Sequence, residues 1–133
     1  MCGSNEKGTS MKVAFITIGT NDMDGSVDFY TETLGFDLLN RLTPSPEVEL
    51  AFLKDPSGVK VELIKRASDP LVTNSACSVS LTFHVDDIDT THAHLLSRHV
   101  PGLEEPRVLP GGLKLLLAKD PNGVVLGFIE EGN

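Results

Sequence analysis

The chain repeats itself at a constant spacing, and that spacing restricts it to folds built from two like units. Lys54-Asp55-Pro56-Ser57-Gly58-Val59 returns as Lys119-Asp120-Pro121-Asn122-Gly123-Val124, 65 positions later. The same offset of 65 carries Asp22 onto Asp87 and Asp24 onto Asp89. Asp-Pro followed by Gly is the chemistry of a tight reversal, because Pro presets one backbone angle and Gly tolerates a left-handed one. An aspartate between a β-rich run and a helical run is the chemistry of a helix N-cap. Two different signals in register, with no net insertion between them, mark a duplicated supersecondary unit.

Each copy reads the same way. Val13 to Ile18 is a β-rich run and predicts a strand. Asp22 or Asp24 caps the helix that follows, in which Val27, Tyr30 and Leu34 fall at helical spacing and Gly35 supplies the stop. Strands are expected around Leu39–Arg41 and Val48–Leu53, and the D-P-S-G turn leads into a last strand, Lys60–Ile64. The second copy runs Ser78–Val85, a helix from Ile88 to His99, then strands near Arg107–Leu109, Leu113–Ala118 and Val124–Ile129. The order is βαβββ twice, an α+β chain. Residues 1–10 read as a disordered leader or an expression scar. A single domain, 11–131, follows: module 11–66, linker 67–75 and module 76–131.

Composition removes several classes of function. The formal charge is −8, from 19 acidic and 11 basic residues, and no basic run is present to track a phosphate backbone. Nucleic acid is therefore not an expected partner, while a cationic ligand is weakly favoured. The longest apolar stretch, Val124 to Ile129, falls far short of the roughly 18 residues that a membrane span needs. No membrane association is expected. Two cysteines, Cys2 and Cys77, make no disulfide framework, and the leader has no apolar segment of a secretory signal. A cytoplasmic location is the expectation. Phosphate-binding loops, dinucleotide fingerprints, paired cysteines and nucleophile elbows are all missing, and Cys77 reads as a buried or linker thiol.

The stretch N-D-M-D-G-S-V-D-F-Y-T-E-T-L-G-F (Asn21 to Phe36), both D-P-[SN]-G turns and V-D-D-I-D (Val85 to Asp89) resemble the vicinal oxygen chelate superfamily. That superfamily holds glyoxalase I, bleomycin-resistance proteins, extradiol dioxygenases and methylmalonyl-CoA epimerase. The resemblance covers residues 11–131 and implies two βαβββ modules forming a curved mixed sheet around a cup, with helices on the convex side. It also implies a homodimer, in which the cup is either intrachain or shared between copies. Strand alternation then sorts the lining. Phe15 and Thr17 look into the cup while Ile16 and Ile18 face the helix; Ser80, Thr82 and His84 occupy the equivalent face. Lys60, Glu62 and Ile64 line the last strand of the first copy, as Val125, Gly127 and Ile129 line that of the second.

In metal-using relatives four inward positions supply His, Gln or Glu ligands, and the resemblance places them at Phe15, Glu62, Ser80 and Gly127. Only Glu62 is a good donor, where a catalytic zinc asks for three protein ligands. No metal or other cofactor is expected. His92, His94 and His99 read as helix-surface or helix-packing residues. The leading expectation is a small-molecule-binding protein of the glyoxalase/bleomycin-resistance type, with Phe15, Thr17, Lys60, Glu62, Ser80, Thr82 and His84 as ligand contacts. The alternative is a glyoxalase-like or epimerase-like isomerase with Glu62 as general base and Lys60 or His84 as electrophile. A third reading leaves Glu62 as an inherited carboxylate, solvated or paired with Lys60.

Overall fold

A computed structural model describes residues 9–68 and 79–131. The first module runs β1 (Ile16–Gly19), α1 (Met23–Asp28), β2 (Asp37–Ser45), β3 (Val48–Lys54) and β4 (Lys60–Arg66). The second runs β5 (Ser80–His84), α2 (Ile88–Ser97), β6 (Arg107–Val108), β7 (Lys114–Lys119) and β8 (Val125–Glu130). Hydrogen bonding organises the strands as two four-stranded sheets, β1-β4-β3-β2 and β5-β8-β7-β6. Each sheet is mixed: β1 and β5 lie parallel to β4 and β8, and the remaining pairs are antiparallel. Residues 69–75 of the expected linker, Cys77 and residues 1–8 of the leader lie outside the described residues. Among the described residues no helix is long and apolar enough to cross a membrane.

The local signals act as their chemistry requires. The Asp22 side chain accepts from Gly25 N at 3.0 Å, and Asp87 accepts from Asp89 N and Thr90 N at 3.0 and 3.4 Å. The amides of Thr90 and then Asp89 hold the Asp87 carboxyl below its ordinary range. Asp55 and Asp120 organise their turns identically, each accepting two amides through Oδ1 at 2.8–2.9 Å.

Several boundaries differ from expectation: β2 is longer than the stretch around Leu39–Arg41, running Asp37–Ser45, and two further differences have a local cause. β1 opens at Ile16 rather than Val13, because its ladder partner β4 opens only at Lys60 and Ile16 already pairs with Val61. Val13 to Phe15 run beside Ser57 to Lys60, where turn residues offer no ladder. The second helix stops at Ser97 because His99 takes a left-handed φ of 56°. Gly35 does the same for the first helix at φ 82°, but the two stops are 64 apart, not 65. The extra residue of the first module is absorbed in a π-helical turn, Phe29–Thr33, that extends α1.

Alternation sends Ile18, Ala51, Leu53, Val61 and Leu63 to one face of the first sheet, where α1 covers them. Leu116, Ala118, Leu126 and Phe128 do the same beneath α2. The two helix-bearing sides then meet. Tyr30, fully buried, donates its hydroxyl to Asp120 Oδ2 of the other module at 2.8 Å. Ser26 bonds Asn122, and Phe36 meets Phe83 edge-on with centroids 6.1 Å apart. On the other flank, His94 Nε2 lies 2.9 Å from the Thr33 carbonyl oxygen.

Burial, followed by the neighbouring Asp120 charge, drives the Tyr30 hydroxyl pKa far above its ordinary value near 10. The unfolded phenol ionises near pH 10 while the folded one stays protonated, so this contribution is complete below pH 10 and falls as pH rises beyond it. Tyr30→Phe leaves the buried Asp120 Oδ2 without its short donor. It is expected to cost about 1.5–3 kcal/mol in urea unfolding at pH 7 and to flatten the loss of stability above pH 10.

Candidate functional site

On the first sheet, the face turned away from α1 carries the residues singled out in the sequence. β1 and β4 run in register with Thr17 beside Glu62, and Thr17 Oγ1 donates to Glu62 Oε1 at 2.8 Å. Thr17, not Lys60, is thus the partner of this carboxylate; Lys60 stands exposed on the same face two residues earlier. β3 sets Phe52 directly opposite Glu62. Phe15, although it precedes β1, packs edge-on against Phe52 with centroids 5.5 Å apart. The cluster is therefore a half-buried carboxylate held by a hydroxyl, flanked by two aromatic rings. Among the described residues Oε1 alone is engaged, which leaves Oε2 with its full acceptor capacity.

Phe52 was missed in the sequence, although a signal for it exists. The D-P-S-G turn closes on the pair Lys54 and Lys60, and counting back two residues on each strand sets Phe52 against Glu62.

The equivalent face of the second sheet is less polar. Ser80 and Thr82 are exposed on β5, with Thr82 in register with Gly127. A β-carbon on Gly127 would sit 3.0 Å from Thr82 Oγ1, so the threonine already occupies the space that a side chain there would need. His84 ends β5 in register with Ile129 and is exposed. It lines, with Thr82, a crevice between the modules that none of Phe15, Thr17, Lys60 and Glu62 reaches. The structure thus joins Phe15, Thr17 and Glu62 in one patch and places Thr82 and His84 in another.

The four positions at which metal-using relatives carry ligands can be tested on their chemistry. Phe15 offers a ring, Gly127 nothing, and Ser80 a hydroxyl; Glu62 alone is a carboxylate. Among the described residues no group of three or more His, Cys, Asp or Glu side chains is placed to hold an ion. This donor set does not fit a divalent metal. Of the remaining histidines, two stand on α2, His94 with Nε2 2.9 Å from the Thr33 carbonyl oxygen and His92 with Nε2 3.8 Å from Glu105 Oε2, and His99 follows the helix at a left-handed φ.

A family model described as Glyoxalase/Bleomycin resistance protein/Dioxygenase superfamily matches residues 12–128. An uncharacterised Bacillus subtilis (strain 168) protein, YwbC, is 29% identical over 117 residues, spanning 85% of this chain and 92% of its own. A glyoxylase/bleomycin resistance protein/dioxygenase domain from Frankia sp. EAN1pec superposes with a TM-score of 0.79 at 18% identity, over 94% of this chain and 95% of that one. A glyoxalase family protein from Bacillus cereus gives 0.79 at 19% identity, over 94% and 97%. Zea mays glyoxalase I gives 0.75 at 22% identity, over 88% of this chain and 43% of its own length. At these identities the solved structures speak for the fold alone. With its two βαβββ modules and a family match running from residue 12 to 128, the chain belongs to the glyoxalase/bleomycin resistance protein/dioxygenase superfamily.

Proposed function

We propose that the protein binds an organic small molecule, without a catalytic metal, on the helix-free faces of its sheets. The observation that carries this reading is the Thr17–Glu62 pair beside the Phe15–Phe52 ring contact. A recognition site needs apolar walls with a few fixed polar groups, and this patch has both. Glu62 orients a donor or a cation, Thr17 holds the carboxylate in place, and the rings supply contact area. Lys60 stands at the margin of the same face.

A second copy of the chain completes the site. Both helix-free faces are apolar yet only half-covered: Leu50, Phe52 and Ile64 on one sheet, Leu115, Leu117, Val125 and Ile129 on the other. Met11, Val13 and Phe15 beside β1, and Val79 beside β5, are 91%, 81%, 43% and 61% exposed. β1 and β5 are also edge strands of their sheets. Apolar faces bounded by open edges are what association covers. Pairing the first module of one copy with the second module of its partner encloses a cup that brings Ser80 over Phe15 and Glu62, while Thr82 and His84 line the crevice between the modules. The protein is expected to run as a homodimer by light scattering, with Phe15→Glu shifting it toward monomer; a monomer at all concentrations would sink the shared cup.

Glu62 also tests binding against base chemistry. Ligands found by thermal-shift screening of organic amines and neutral compounds are to be titrated calorimetrically into both variants. Phe15→Ala is expected to weaken binding by about 1–3 kcal/mol. Glu62→Gln is expected to weaken cationic ligands, more so at low salt where screening is small. A variant that binds normally but loses turnover would instead assign Glu62 to proton abstraction, since an amide cannot accept the proton. After loading with zinc and dialysis, the protein is expected to retain far less than one equivalent by plasma mass spectrometry. Stoichiometric zinc that disappears in Glu62→Gln would overturn the metal-free reading.

A further inference from the structure

The two modules meet at two equivalent places, and among the described residues only one of them is filled. At the first, Ser26 and Tyr30 of the first helix seat against Asn122 and Asp120 of the second D-P-x-G turn. The offset of 65 carries these four residues onto Thr91, Leu95, Ser57 and Asp55. All four line a single cavity of about 590 Å³ between the second helix and the first turn. Leu95 is buried where Tyr30 is buried, but it is shorter by a ring and a hydroxyl. The space that a tyrosine fills in one half is open in the other. Phe36, Phe83 and Phe128 supply aromatic walls.

The carboxylates tell the same story. Asp120 spends Oδ1 on two turn amides and Oδ2 on the Tyr30 hydroxyl. Asp55 spends Oδ1 on the Ser57 amide, the Ser57 hydroxyl and the Val59 amide, at 2.8–2.9 Å. Among the described residues nothing donates to its Oδ2. The cavity therefore offers the acceptor and the ring-sized space that Tyr30 uses in the other half.

We propose that this crevice is a second ligand site, distinct from the patch around Glu62, and that it takes a phenol. The aromatic ring lies over Leu95 among the three phenylalanines, and the hydroxyl donates to Asp55 Oδ2 as that of Tyr30 donates to Asp120. The volume exceeds one ring and falls within the range of small-molecule pockets, about 300–1,000 Å³, so substituents on the phenol extend past Thr91 and His84.

The test uses the whole chain, with p-cresol as probe and toluene as its control lacking the hydroxyl. In amide-resolved nuclear magnetic resonance, p-cresol is expected to shift Asp55, Ser57, Val59, Phe83 and Val85 saturably at low millimolar concentration. Toluene should bind at least about tenfold more weakly, since a hydrogen bond to a charged acceptor is lost. Leu95→Tyr supplies the ring from within and should abolish the shifts while leaving the melting temperature unchanged or raised. Asp55→Asn keeps an oxygen for the turn amides but replaces Oδ2 with a donor, and should reduce p-cresol to the affinity of toluene. Glu62→Gln should leave p-cresol binding unchanged. No saturable shift at these residues, equal binding of toluene, or p-cresol binding that survives Leu95→Tyr would each overturn the proposal. So would a loss of p-cresol binding in Glu62→Gln, which would move the site to the other face.

Discussion

The arrangement of the whole molecule hangs on a buried carboxylate. Asp120 is 1% exposed, and a charge so placed persists only where donors surround it. Three come from its own turn, the Asn122 and Val124 amides and, at 3.5 Å, Asn122 Nδ2, but the short donor to Oδ2, the Tyr30 hydroxyl, comes from the other module. Satisfying Asp120 therefore forces the helix of the first module onto the turn of the second. Once that contact is made, the helix-bearing sides of both sheets face one another, and Phe36, Phe83 and Phe128 close around it. The opposite face of the first sheet, with Thr17 and Glu62, is turned away from this contact. How the two modules face one another is a consequence of how one acidic side chain is solvated by protein.

The duplication tolerates local change wherever the turns and caps hold the ends. The first helix carries one residue more than the second, yet the offset is 65 at the caps before it and at the turns after it. A π-helical turn takes up the extra residue, so that Tyr30 and Leu95 still occupy matching buried positions. Each helix then ends on a left-handed residue, Gly35 or His99. Histidine pays a steric cost there that glycine does not. The helix termini are thus specified by geometry first and by residue type second.

Much of this was legible in the sequence because it is local or periodic. Caps and turns act within a few residues, and alternation sorts a strand without knowledge of its neighbours; hence Ile18 toward the helix, Thr17 on the opposite face, and a cap at Asp22 or Asp24, of which the structure uses Asp22. Even the missed Phe52 follows from counting back along the hairpin. What the sequence did not disclose is where one module touches the other. Tyr30 reads as an apolar position in a helical stripe, and nothing periodic connects it to Asp120, 90 residues away. A buried tyrosine does need a partner for its hydroxyl, but the need does not name the partner. The crevice beside Leu95 was hidden for the same reason, being defined by four residues from both modules. The start of β1 was overextended because Val13 to Phe15 have the composition of a strand while the ladder beside them has already ended.

The two copies have diverged unevenly. Residues that build the fold are kept in both: the aspartate caps, the D-P-x-G turns and the apolar face under each helix. On the helix-free faces Phe15 stands against Ser80, Lys60 against Val125 and Glu62 against Gly127, while Leu50 and Leu115, Ile64 and Ile129, and Thr17 and Thr82 are the same residue in both copies. Thr17 and Thr82 nevertheless act differently. Thr17 donates to Glu62, whereas Thr82 covers the glycine that stands in the place of Glu62. The same residue type thus holds a carboxylate in one half and fills the space above a glycine in the other, because its role is set by the residue in register on the neighbouring strand.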